Sequence, residues 1–167
     1  MGNTQDNLQD AFAGESQASR RYLFFSDRAD EAGHPVIARL LRAAAEAETV
    51  HARNHLKAMG EIKSTRENLN AAIAGEHYEF TQMYPGFITQ AKAEANQEAE
   101  TSFTWANKVE KIHHYLYQQA LKALNEAKPL KDEPYFVCQN CGYTVGGKAP
   151  EKCPVCGAPR KTFKRVE

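Results

Sequence analysis

Cysteine is missing from the first 137 residues of this 167-residue chain. That absence excludes a disulfide framework for most of the molecule. Long apolar runs are missing too. The longest span only a few residues, against the roughly 20 that a membrane-crossing helix needs, so no membrane partner is expected. Neither sign of charge dominates, with 21 Lys and Arg against 21 Asp and Glu. That balance argues against a strongly basic nucleic-acid binder and against a charged, disordered chain. There is no low-complexity segment and no short-period repeat. The opening MGNTQDNLQDAF lacks the basic-then-apolar order of a secretion signal. The expected location is the cytoplasm, where thiols stay reduced and clustered cysteines bind metal more often than they pair.

The balanced total hides a shift along the chain. From Lys128 onward there are eight Lys/Arg and four Asp/Glu, about +4, which leaves 13 and 17, about −4, for the first part. Chance, or two domains that attract one another, accounts for this better than a nucleic-acid patch does.

Helical periodicity fills the first part. Helix A is predicted from about Asn3 to Ala32, with Gly33 as its stop. Pro35 suits the first turn of helix B, which runs to about Met59 and stops at Gly60. Helix C begins near Ser64, where Ser64 and Glu67 have capping-box spacing, and ends near Ala95 with a kink at Pro85. Helix D occupies about Gln97 to Ala127. KPLKDEP then reads as a linker. The expected domains are a helical bundle over 1–127, a linker over 128–134 and a small module over 135–167.

Each helix carries an apolar stripe that a carboxylate interrupts. Helix A gives Leu8, Phe12, Glu15, Tyr22, and helix B gives Ile37, Leu41, Ala44, Glu48, His51, Ala58. Helix C gives Leu69, Ile73, Glu76, Phe80, Met83, and helix D gives Phe103, Ala106, Glu110, His113, Tyr117, Leu124. Unpaired buried carboxylates are costly, so four of them on apolar faces call for a cation. Glu48-x-x-His51 and Glu110-x-x-His113 each place both side chains on one helix face. Two such helices plus two that each supply a glutamate form the ferritin-like di-metal arrangement. Carboxylate and imidazole together suit iron or manganese. A single Glu-x-x-His arises by chance on many solvated helices; two in register with lone in-stripe glutamates do not. Glu79, three residues after Glu76, is either a further ligand or a solvated neighbour. Tyr22 and Tyr84 either hydrogen-bond a ligating carboxylate or pack in the core. His34, His55, His77 and His114 read as surface or capping residues.

The tail carries Cys138-x-x-Cys141 and Cys153-x-x-Cys156, each followed by a glycine, Gly142 and Gly157. Two such knuckles make a tetrahedral thiolate site. Four thiolates hold zinc or a single iron equally well. Taken alone, the stretch favours a structural zinc ribbon, and its basic end RKTFKR is compatible with nucleic-acid binding.

The stretches EAETVHARNHL, AGEHYEFTQMYPGF, VEKIHHYLY, CQNCGY and CPVCG, in this order, resemble the rubrerythrin family over nearly the whole chain. The resemblance implies a mainly α fold, a ferritin-like four-helix bundle followed by a rubredoxin-like Fe(Cys)4 module with short β-strands. It implies three irons per chain. Two would be held by Glu15, Glu48, His51, Glu76, Glu79, Glu110 and His113, with His51 and Glu79 as alternative ligands to one iron, and the third by the four cysteines. It further implies a peroxidase that reduces hydrogen peroxide, in defence against oxidative stress. Electrons would come from a donor such as rubredoxin or an NAD(P)H-dependent reductase, relayed through the Fe(Cys)4 centre. No nucleic-acid partner is then expected. Two other classes stand beside this one: a ferroxidase that handles iron, and a zinc-ribbon binding module on a helical scaffold.

Distances also bear on assembly. Ferritin-like topology needs helices B and C parallel, and levelling Glu48 with Glu76 requires a link of roughly 35 Å. Residues 60–64 reach at most about 18 Å. A homodimer is therefore expected, domain-swapped, with helices A and B of one chain meeting C and D of another.

Overall fold

The computed structural model describes residues 2–167. The chain divides into two compact units, one ending at Lys63 and the other running Ser64–Glu167. No helix among the described residues is long and apolar enough to cross a membrane.

The first unit is a helical hairpin of α1 (Thr4–Glu31) and α2 (Pro35–Ala58). Asn3 caps α1 in a reciprocal box with Asp6, and Pro35 opens α2 where its missing N–H costs nothing. Gly33 and Gly60 adopt φ of +78° and +73° just past the helix ends, the left-handed stop that glycine permits. Small residues make the seam between the helices. Ala38, Ala45 and Ala52 are buried at seven-residue spacing on α2, and Ser19 and Ser26 are buried at the same spacing on α1. Ser26 directs its hydroxyl to the Leu23 carbonyl, so its burial leaves no orphan proton. On α2 the seam therefore lies one position along from the predicted stripe, and Ile37 of that stripe is exposed, whereas on α1 Ser19 and Ser26 continue the stripe. Small side chains let the backbones approach, while the bulky residues point elsewhere.

The second unit begins with α3 (Thr65–Tyr78), capped by the Ser64–Glu67 box that the sequence predicts. A π-helical turn follows at Glu79–Met83 and leads into α4 (Tyr84–Ala93). Proline has no N–H and its ring collides with the carbonyl four residues back, here Thr81. Thr81 lies inside the wider turn, and Tyr84 N–H bonds to the Glu79 carbonyl five residues back. The predicted kink at Pro85 is thus absorbed as a π bulge one turn earlier, a feature often found at functional sites. Next comes α5 (Gln97–Asn125), packed against α3 and α4. Before and after it, Ala95 and Ala127 hold left-handed backbone at φ of +54° and +50° without a glycine.

Residues 128–134 carry no regular structure. A three-stranded antiparallel sheet follows, of β1 (Tyr135–Cys138), β2 (Thr144–Gly146) and β3 (Phe163–Val166), ordered β2-β1-β3. A short 3-10 turn, Arg160–Thr162, precedes β3. Val137 pairs with Thr144 and Cys138 with Phe163, which fixes the first cysteine knuckle at the end of the sheet.

Candidate metal centres

Three donor clusters stand out: Glu15, Glu48 and His51 in the hairpin; Glu76, Glu110 and His113 in the second unit; and the four cysteines. In each of the first two, one oxygen or nitrogen from every residue lies within 4.8 Å of the others. His51 Nδ1 is 2.7 Å from Glu48 and 3.8 Å from Glu15. His113 Nδ1 is 2.7 Å from Glu110 and 3.9 Å from Glu76. Donors about 2.1 Å from a common ion stand roughly 3 Å apart at right angles and about 4.2 Å apart across it. Both triads fit that spacing.

Electrostatics support the same reading for the second triad. Glu76 is pushed up to about 7, first by burial and then by its contact with Glu110. Glu79 rises too, through burial and the Glu110 charge. His113 rises because Glu110 accepts its hydrogen bond. Carboxylates gathered this closely repel one another, and a divalent cation removes the conflict.

The cysteine knuckles repeat one geometry. Gly142 N–H bonds to Cys138 O at 2.8 Å, and Gly157 N–H to Cys153 O at 2.9 Å. Both glycines have positive φ, +82° and +76°. Cys138 and Cys156 sulfurs are 3.7 Å apart, and Cys141 and Cys153 sulfurs 3.5 Å. A tetrahedral ion with sulfurs at about 2.3 Å sets them about 3.8 Å apart. The spacing fits a metal and is far too long for disulfides, and all four thiols are free. Cys156 is held down to about 6, where burial is outweighed by hydrogen bonds from the Asn140 side chain and the Ala158 backbone. Burial pushes Cys141 strongly the other way.

The family profile described as "Rubrerythrin" matches residues 6–121, and "Rubrerythrin, rubredoxin-like domain" matches residues 136–164. The chain belongs to the rubrerythrin family. Rubrerythrin-2 of Clostridium acetobutylicum is 35% identical, over 96% of this chain and 95% of its own. Nigerythrin of Nitratidesulfovibrio vulgaris is 36% identical over 98% and 86%. A nigerythrin structure in the fully reduced, all-ferrous state superposes with a TM-score of 0.58 at 34% identity, covering 99% of this chain and 88% of that one. The chain therefore carries the groups of a di-iron carboxylate/histidine site and of a rubredoxin-like four-cysteine site, consistent with three irons. Rubrerythrins are generally oxidoreductases of oxidative-stress defence.

The remaining sequence-predicted residues divide. Glu79 stands outside the 4.8 Å triad but acts electrostatically on Glu76. Tyr84 is raised by burial and then by Glu110, Glu79 and Glu76, which places it against the second triad. Tyr22 packs on Phe25, ring centres 6.4 Å apart. His114, expected at the surface, is buried between α3 and α5 and donates from Nδ1 to the Ile73 carbonyl at 3.1 Å. Two residues at the second triad were not singled out as site residues from sequence. Tyr117 lies 6.5 Å from the His113 ring and is raised by burial and the Glu76 charge. Its i+4 spacing from His113 is the signal that could have found it. Thr144 Oγ1 sits 3.0 Å from His113 Nε2, and no sequence spacing announces that contact.

Proposed function

We propose that this chain is a cytoplasmic peroxide reductase, taking electrons from an external donor through the four-cysteine iron to a di-iron site. The observation that carries the reading is the seating of the four-cysteine module on the helix that bears the second triad. His113 bonds to Thr144, and Gly142 lies in contact range of Val109 of α5. A structural zinc ribbon needs no such placement, whereas an electron relay does. When bound, the iron pair supplies the two electrons that cleavage of H2O2 to two waters consumes.

The chain's own residues provide positioning and protons. Two protons must reach the two water oxygens. Tyr84 and Tyr117 keep their phenolic protons throughout the neutral range, since burial and nearby carboxylates push both up. Glu76 would hold the iron as an ionised ligand. Glu15, Glu48, His51, Glu79, Glu110 and His113 would serve as the remaining ligands. Cys141 and Cys156 are the partly exposed cysteines, and a groove of about 570 Å3 lined by Trp105, Asn140 and Cys141 opens beside the first of them. A small redox protein such as rubredoxin, or a reductase, meets the module there.

The working form is a domain-swapped homodimer. The Ser64 cap fixes the start of α3, so residues 60–64 remain the whole link, and their reach stays near 18 Å. The hairpin also leaves Phe24, Val36 and Leu40 exposed at 68%, 73% and 70%, more apolar surface than a free hairpin keeps.

The test is a visible spectrum under argon. The reduced protein receives one equivalent of peroxide per chain. Rapid return of the red ferric-thiolate colour is expected; a colourless, unresponsive tail overturns the relay. Glu110→Ala is expected to abolish peroxide turnover while leaving the ferric-thiolate colour intact. Iron uptake well beyond three per chain would point to iron handling instead.

A further inference from the structure

The hydrogen bond between the two parts of the second unit fixes the protonation of a ligand. Thr144 is the first residue of β2, held in the ladder opposite Val137. Its hydroxyl donates to the Gly142 carbonyl at 3.0 Å. A hydroxyl has one proton. With that proton committed, the oxygen faces His113 Nε2, 3.0 Å away, only as an acceptor. Nε2 must then carry the imidazole proton. Nδ1 donates its own proton to Glu110, 2.7 Å away, so with the Nε2 proton anchored it is the Nδ1 proton that an arriving ion displaces, leaving Nδ1 bare toward Glu110 and Glu76. A metal ion needs that unprotonated nitrogen, and the hydrogen bond at the other nitrogen orients the ring.

The hairpin histidine has no such anchor. His51 places Nδ1 against Glu48, but its Nε2 has no partner within its own unit among the described residues, and its side chain is 53% exposed. The two triads share one donor set and differ in this one restraint.

We propose that Thr144 is a positioning residue that selects the metal-binding tautomer of His113. Seating of the cysteine module and readiness of the second triad are then one event. The module's hydroxyl completes a ligand on α5, so a chain whose module is detached holds its bundle metal more weakly. The inference rests on the metal-binding reading of the triads but not on peroxide as substrate.

The test uses the full iron-loaded chain and three forms: wild type, Thr144→Val, which keeps the shape and removes the hydroxyl, and Thr144→Ser, which keeps the hydroxyl. The first readout is the rate at which a chelator strips the bundle iron, with the ferric-thiolate colour followed separately. Loss of a residue that orients a metal-bound histidine typically weakens metal affinity by about tenfold to a hundredfold. Thr144→Val is expected to release bundle iron faster by that order with its colour unchanged, and Thr144→Ser to restore retention. Release by Thr144→Val within about twofold of wild type, or failure of Thr144→Ser to restore it, overturns the proposal. A second readout needs no variant. In the reduced wild-type protein the His113 Nε2 proton, seen by NMR, should exchange with water far more slowly than that of His51. Equal exchange overturns the proposal even if Thr144→Val does not fold. Peroxide turnover enters neither readout, so its absence would sink only the functional reading.

Discussion

Acid should loosen the grip of Glu76, Glu110 and His113 on a divalent ion more steeply than ordinary side chains allow. Binding needs Glu76 ionised and His113 Nδ1 bare, so each proton held at those atoms competes with the ion. The weakening factor for one group is 1 + 10 raised to (pKa − pH). With Glu76 near 7, that factor is about 1.1 at pH 8 and about 11 at pH 6, a tenfold loss. A carboxyl at its ordinary value would lose only about 3% over the same range. His113, raised above 6.5 by Glu110, contributes at least about fourfold more. Together the affinity should fall about 40-fold from pH 8 to pH 6, about 2 kcal/mol. Ordinary groups would give about fourfold. The assay is competition for ferrous ion between the full chain and a coloured chelator under argon at pH 8, 7 and 6. The ferric-thiolate colour, checked after reoxidation, shows that the cysteine site survived. A loss of about fivefold or less would refute the reasoning, since it would mean that Glu76 titrates as an ordinary carboxyl.

The same two shifts set the pH dependence of the metal-stripped chain. Glu76 and His113 both hold protons more tightly folded than unfolded, so their contribution is complete below the unfolded values of 4.5 and 6.5 and is lost as pH rises through the folded ones. Calorimetry should therefore show the stripped chain melting higher at pH 6 than at pH 8; a Tm that is flat or rises over that range contradicts the assignment. Chain exchange tests the swapped dimer. Co-expressed Glu48→Ala and Glu110→Ala chains should recover about a quarter of the wild-type peroxide turnover, because half the dimers are mixed and each mixed dimer rebuilds one intact site. No recovery would mean that each site is built within one chain.

Much of this was legible because it rests on local rules. Gly33 and Gly60 mark helix ends by their freedom at positive φ, and Ser64 with Glu67 marks a start by capping. The Glu-x-x-His pairs are legible because i and i+3 share a face whatever the tertiary fold. The cysteine knuckles are legible because each closes on its own glycine. What could not be read depends on partners distant in sequence. Ala95 and Ala127 end helices in a conformation alanine disfavours, so no residue type flags them. The π turn was hidden because Pro85 announces a disturbance but not how the preceding turn absorbs it. His114 looked like a surface residue until α3 supplied the Ile73 carbonyl. Thr144 reaches His113 across 31 residues, through a strand whose placement no spacing encodes.

The five residues from Gly60 to Ser64 have a consequence for the cell as well as for the fold. In the swapped dimer proposed above, where one chain cannot close its own site, the number of complete sites becomes second-order in chain concentration. At low abundance, halving the protein quarters the number of complete sites. A growing cell that dilutes its stock would lose oxidant protection faster than it loses polypeptide, and synthesis would have to lead growth rather than follow it.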